Sequence, residues 1–127
     1  MSKKILIVDD ELNMITLLQE TLEEFEDKGM ELLVAKNGSD AIESVRTDKP
    51  ELVILDVMMP GMNGFDVCNT IKNEFGMKDI YVLMLTADGQ KLNKQKSKDV
   101  GADDLLTKPF SLDELAEKVA QILKIEL

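Results

Sequence analysis

The side chains that could do chemistry stand where short apolar runs end. ILIVDDE (5–11) puts Asp9, Asp10 and Glu11 directly after Ile5–Val8; LVILD puts Asp56 after Leu52–Leu55; YVLMLT ends in Thr86; and LLTKP ends in Lys108 and Pro109. Crowded carboxylates repel one another, and at least one pKa rises unless something offsets the charge. A hard divalent cation does so. Mg2+ takes oxygen ligands octahedrally, keeps several waters, and typically uses one or two carboxylates plus a phosphate. Asp9, Asp10 and Asp56, on separate loops, suit it better than an EF-hand-type calcium loop, whose run of alternating acids with a central Gly the chain lacks. Lys108 adds a point charge and Thr86 a hydroxyl. With the cation, they could neutralise the three equatorial oxygens of a phosphoryl group in transfer. Asp56 is then the natural nucleophile, because a carboxylate can form an acyl phosphate. Such a product is labile, so it would time a signal rather than mark the chain permanently.

Each residue alone also admits a plainer reading. Asp9 and Asp10 could cap a helix that begins near Glu11 and favour its dipole. Asp56 could belong to the turn Met58-Met59-Pro60-Gly61, Thr86 could be a cap or strand residue, and Lys108 could be a surface lysine or a salt-bridge partner of one acid. Their convergence on one edge is the stronger signal, and it depends on the elements that carry them.

Two periods alternate along the chain. Ile5–Val8, Leu32–Ala35, Leu52–Leu55, Tyr81–Leu85 and Leu105–Thr107 read as strands. Between them run helical stripes: Met14, Leu18, Leu22 and Phe25; Ala41, Ile42 and Val45; Phe65, Cys68, Ile71 and Phe75; and Leu112, Leu115, Val119, Ile122 and Leu123. The stretch 89–100 is weakly apolar, with Gly101 placed to cap it in the left-handed conformation. Ser111 with Glu114 is a capping-box signature. Asn37-Gly38 and Pro60-Gly61 read as turns, and the eight methionines as packing. The pattern is β-α five times over in one domain, 1–127. Strands separated by helices of this length form a parallel sheet covered on both faces. A five-stranded doubly wound sheet often takes the order 2-1-3-4-5 and binds ligands beyond the carboxyl ends of its strands, near the switch point between strands 1 and 3. Four of the five strands deliver a charged or reactive group to that edge.

The bulk numbers agree with this. The 127 residues suffice for one core, with 44% hydrophobic residues. A formal net charge of −10 argues against general nucleic-acid or anionic-membrane binding and fits a cation site or a basic partner. The single cysteine, Cys68, excludes an internal disulfide and points to the cytoplasm. No run approaches membrane-spanning length. There is no histidine, so any imidazole chemistry must come from another molecule.

ILIVDDE, LVILDVMMPGMNG, VLMLTA and GADDLLTKPF, in that order and spacing, resemble the receiver domain of two-component response regulators. The resemblance covers almost the whole chain. It implies the flavodoxin-like (βα)5 fold in the order 2-1-3-4-5, of which the family's chemotaxis regulator is a known instance. It implies that Asp56 accepts a phosphoryl group from a phosphohistidine on a sensor histidine kinase or histidine phosphotransfer protein. By the same resemblance, Asp10 and Asp56 bind Mg2+ directly, Asp9 binds it through water, and the backbone carbonyl of Met58 completes the protein ligands. Thr86 and Lys108 contact the phosphoryl group, and Lys108–Pro109 is cis. The domain assists its own phosphorylation and dephosphorylation and is not otherwise an enzyme.

One departure stands out. The family usually carries Tyr or Phe three residues before the lysine; here that position is Leu105, which should alter or weaken the readout. Met58 and Asp88, two residues after the phosphoacceptor and two after the threonine, should tune the phosphoryl lifetime. Lys91, Lys94 and Lys98 share one face of the fourth helical stretch. That face is either simply solvated or a docking surface, for an output partner or a second copy, on the side formed by the fourth helix, fifth strand and fifth helix. Three competitors remain. A small Mg2+-dependent aspartyl-phosphate phosphohydrolase wants an acid at Met58. A flavodoxin wants a phosphate loop where DDELN stands, and more than 4% aromatics. A pseudo-receiver would lack some of the chemical residues.

Overall fold

Leu52–Asp56 is buried at every residue, and Lys4–Val8 and Tyr81–Thr86 at every residue but the first. Strands with helices on both faces have no solvent side, so they read as unbroken apolar runs instead of alternating ones. In the computed structural model residues 3–87 and 91–125 are described, without the side chains of 91–93. The five strands are β1 (Lys4–Val8), β2 (Glu31–Ala35), β3 (Leu52–Asp56), β4 (Tyr81–Thr86) and β5 (Asp104–Thr107). They pair in parallel in the order β2-β1-β3-β4-β5, the order the resemblance implies. Register aligns their ends: Val8 faces Leu55, Asp56 faces Leu85 and Thr86 faces Thr107. The residues that follow therefore surface along one edge.

Alternate residues of each strand go to opposite faces. Leu6, Val8, Val53, Leu55, Val82 and Met84 pack with α3 (Gly38–Asp48) and α4 (Gly64–Asn69) through Val45, Val67 and Cys68. Ile5, Ile7, Ile54, Leu83 and Leu85 pack on the other face with α1 (Leu12–Thr21) and α6 (Leu112–Leu123) through Leu18, Leu115 and Val119. Fully burying one such side chain stabilises the fold by about 1.5–3 kcal/mol, so the central strands are the rigid base from which the strand-end groups project.

Three local features differ from the sequence reading. The first helical stripe breaks at Leu22, and Glu23–Asp27 forms a separate α2. The break puts Glu23, Glu24 and Glu26 in a first turn, where the helix dipole favours acids, instead of in a last turn, where it opposes them. Leu22 and Phe25 still reach the core. Asn37-Gly38 is not a free turn but the start of α3: the Asn37 side chain accepts from the Asp40 N–H at 2.8 Å. The third helical stretch ends in a wide π turn, Thr70–Glu74, where the Phe75 N–H donates to the Thr70 carbonyl. That turn aims Lys72 inward. Its ammonium is buried, donates to the carbonyls of Lys78 and Ile80, and pairs with Asp103 at 2.8 Å.

The expected caps hold. Gly101, at φ +87°, closes α5 (Lys91–Asp99), and Ser111 accepts from the Glu114 N–H at 3.0 Å to open α6, a side-chain N-cap that forms one half of the expected capping box. Among the described residues, no helix is long and apolar enough to cross a membrane.

Candidate functional site

β1 ends at Val8, and the Asp9 N–H continues the ladder by donating to the Ala35 carbonyl at 3.2 Å. This last rung turns the Asp9 side chain into the sheet edge, where Oδ1 accepts from the Glu11 N–H at 2.9 Å. Asp9 Oδ2 is buried and has no hydrogen-bond partner among the described residues. Asp10, one residue on, is exposed. Asp56 closes β3 and is 3% exposed. Oxygens of Asp9, Asp10 and Asp56 lie within 4.8 Å of one another, at the switch point between β1 and β3. At that separation and an effective dielectric near that of a partly buried site, the Asp9–Asp56 repulsion is up to about 3–4 kcal/mol.

The electrostatics follow from burial. Desolvation pushes the Asp9 carboxyl up to about 6, and the Asp56 charge adds to the rise against the Glu11 hydrogen bond. Burial also raises Asp56, opposed by the Lys108 ammonium and, less, by the Met58 backbone N–H. Lys108 follows β5 and reaches across the edge to Asp56 Oδ1 at 3.0 Å. Its N–H donates to the Thr86 carbonyl at 2.6 Å, which ties the ends of β4 and β5 together. Thr86 is 1% exposed. The Lys108–Pro109 peptide is cis.

The structure thus brings Asp9, Asp10, Asp56, Thr86 and Lys108 to one edge. Met58 stands at the rim, 70% exposed. Leu105 is half-buried and packs on the sheet face that holds Val82 and Met84. Asp88 lies outside the described residues. On α5, Lys94 and Lys98 are exposed, whereas the side chain of Lys91 is outside the described set. The reading of the methionines as packing fails for Met58, which the 57–63 loop leaves exposed, whereas Met62, though 37% exposed, lays its side chain against Gly38.

Two features had escaped the sequence reading. Gly64 lets the chain fold back against the end of β3, which carries Asp56. A Cβ there would collide with the Asp56 carbonyl oxygen and come within 2.9 Å of the Val57 Cα. The available signal was Asn63-Gly64 before an apolar helix: Asn63 and Asp66 form a reciprocal capping box, so the glycine had to be the first helical residue. The second is an apolar groove of ≈ 390 Å³ beside Lys108, lined by Met14, Leu17, Ala87, Pro109, Phe110 and Leu112.

A buried carboxylate, an ammonium at contact distance and a cluster of acids stand together at the carboxyl edge of a 2-1-3-4-5 sheet. Residues 5–120 match the response regulator receiver domain. The chain belongs to that family. As a receiver domain, it serves phosphorylation-dependent signalling in a two-component system. It is 42% identical over 124 residues to the alkaline phosphatase synthesis transcriptional regulatory protein PhoP of Bacillus subtilis, covering 98% of this chain and 50% of that protein. The chain therefore spans about half the length of that relative. Among solved structures, the receiver superposes on the Vibrio cholerae chemotaxis protein CheY4 with a TM-score of 0.85 at 30% identity, over 96% of this chain and 99% of that one. The BeF3-activated receiver domain of DrrB, from Thermotoga maritima, gives 0.84 at 29% identity, over 98% and 99%.

Proposed function

We propose that this receiver, one domain over 1–127, takes a phosphoryl group onto Asp56 from the phosphohistidine of a sensor histidine kinase or phosphotransfer protein. We further propose that it does so with Mg2+ and loses the group again by hydrolysis. The observation that carries the reading is Asp56 itself: buried, 3.0 Å from the Lys108 ammonium, and within 4.8 Å of two further carboxylates. An Asp56 oxygen attacks phosphorus; the new P–O bond forms as the P–N bond to the donor imidazole breaks, and the electron pair returns to that nitrogen. Lys108 shifts its ammonium from the carboxylate to a phosphoryl oxygen, and the Thr86 hydroxyl donates to another. In the reverse direction, water attacks phosphorus, the bond to Asp56 breaks and inorganic phosphate leaves.

The residues present fit a hard cation. Asp9 Oδ2 is a buried acceptor with no other partner among the described residues, and three carboxylates are a hard-oxygen donor set. Asp10 and Asp56 would hold the ion directly, Asp9 through water, and the Met58 carbonyl would complete the protein ligands. When bound, it supplies the positive charge that offsets the acids and the incoming phosphoryl oxygens. The activation of the DrrB receiver by BeF3 supports a site of this type in the family.

The donor domain lies outside these 127 residues, which contain no histidine. The groove beside Lys108 and the exposed Leu12, Leu17 and Leu112 offer it an apolar contact next to Asp56. The signalling pair works in the cytoplasm, where the lone thiol stays reduced. Leu105 cannot make a tyrosine's hydroxyl contact, so the readout through α5, β5 and α6 is weakened. Nearly equal amide spectra of 91–110 with and without a phosphoryl mimic would support that, and large shifts would sink it. Charge reversal at Lys94 and Lys98 tests whether α5 docks an output partner or a second copy; unchanged binding would leave a merely solvated face.

The test of the function itself is intact mass after incubation with acetyl phosphate, with Mg2+ or chelator, on this chain and on Asp56→Asn. One phosphoryl adduct that needs both Mg2+ and Asp56 is expected. A folded chain that takes no adduct from acetyl phosphate or from a phosphohistidine donor would be a pseudo-receiver.

A further inference from the structure

The most exposed sulfur among the described residues stands beside the phosphoacceptor. Met58 is 70% exposed; Met62 is 37%, Met59 7%, Met30 6% and Met84 fully buried. The other oxidisable sulfur, Cys68, is buried on the inner face of α4, where burial pushes its thiol up to about 11. Attack on sulfur follows access and, for a thiol, thiolate character. Cys68 has neither, so among the described residues an oxidant meets Met58 first.

Met58 is also wired to the chemistry. Its backbone N–H helps hold down the Asp56 pKa, and its side chain stands on the rim of a site whose nucleophile is only 3% exposed. A thioether is apolar and a weak acceptor. A sulfoxide is a polar group with a strong acceptor oxygen. At that rim it would hold water where the thioether does not.

We propose that Met58 is a reversible oxidation site through which a peroxide shortens the life of the phosphoryl group on Asp56. The inference rests on the phosphoacceptor reading given above. The Met58 sulfur lone pair attacks a peroxide oxygen; the S–O bond forms as the O–O bond breaks, and the departing hydroxide takes the proton from the transferred oxygen and leaves as water. Sulfur is oxidised by two electrons and the peroxide is reduced by two. Water ordered by the sulfoxide oxygen then attacks phosphorus, the bond to Asp56 breaks, and inorganic phosphate leaves with the carboxylate regenerated. Methionine sulfoxide reductase with a thiol reductant reverses the modification.

The experiment treats the whole chain with hydrogen peroxide just enough to oxidise its most accessible methionine, maps the sulfoxide by peptide mass, and follows loss of the phosphoryl adduct by intact mass. The sulfoxide is expected first at Met58. Phosphoryl loss should speed up by about two- to tenfold, the change one added polar contact is worth, and reductase treatment should restore the slower decay. Met58→Leu should decay at its own untreated rate after peroxide, whereas Met62→Leu should still respond. First oxidation elsewhere, an unchanged decay with Met58 oxidised, or acceleration that persists in Met58→Leu would each overturn the inference. Untreated chain that never takes a phosphoryl group would overturn the functional reading and this one with it; a phosphorylated chain whose decay ignores the sulfoxide would overturn this one alone.

Discussion

Burial holds the Asp9 carboxyl at about 6, well above its ordinary 3.8. Below 3.8 the group is protonated in both folded and unfolded chains and costs nothing. As pH rises from 3.8 to about 6, the unfolded chain ionises first, so the metal-free fold loses stability across that window. A cation binds the ionised form. The rise in Tm on saturating Mg2+ should therefore be large above about 6 and shrink as the pH falls through it, read by thermal unfolding with Mg2+ and with chelator. A Mg2+ effect that did not change with pH would place the ion elsewhere. Gly64 sets a second limit at this scale. Because the clash of a Cβ there is with backbone, Gly64→Ala must displace the strand end that carries Asp56. A loss of about 1–3 kcal/mol in urea unfolding is expected, together with slower phosphorylation; wild-type values on both would mean that the 57–64 loop gives way freely.

Helix ends show how much the elements leave to individual residues. Lys49 ends α3 at φ +49° and Lys124 ends α6 at φ +57°, in the left-handed region where a Cβ meets the following carbonyl. Glycine at either position removes that strain, at some cost in the freedom it adds to the unfolded chain. Lys49→Gly and Lys124→Gly should each stabilise the fold by roughly 0.5–1 kcal/mol in chemical unfolding, without changing phosphorylation, since both lie beside Glu51 and Asp79 at the amino edge of the sheet, opposite the site groups. A destabilisation would show that the lysine side chains make contacts worth more than the strain. The broken first helix belongs to the same scale. Its apolar stripe runs on through Leu22 and Phe25, so periodicity alone could not show a break that acidic crowding at a helix end favours.

Across the whole molecule, 25 acids face 15 bases, and the net charge is −10. An excess of acids repelling one another is set against three ion pairs found among the described residues, Lys72–Asp103, Lys108–Asp56 and Lys118–Asp104. Added NaCl, with chelator present, should therefore raise Tm by screening that repulsion. A fall in Tm would mean that the pairs dominate. The five strands were legible to within a residue of their ends, because doubly covered parallel strands must be continuous apolar runs. The site was legible for a related reason: the residue after such a run surfaces at the carboxyl edge, which is how Asp9, Asp10, Asp56, Thr86 and Lys108 could be read as one group. Lys72 was not legible. A lysine in a helical stretch looks like a solvated one until the π turn points it at Asp103, 31 positions further along the chain.

Sequence by itself determined which groups arrive at the edge and in what strand order the resemblance puts them, because alternation, buried runs and capping residues act within a few positions of chain. Only the tertiary structure decided what each group then meets. It left Asp9 Oδ2 buried without a partner while Asp10 beside it is exposed, carried Lys108 to Asp56 across 52 positions, brought Gly64 against the Asp56 carbonyl and turned Met58 outward to solvent. Burial, pairing and access are sums over neighbours from several elements, and no local spacing contains them.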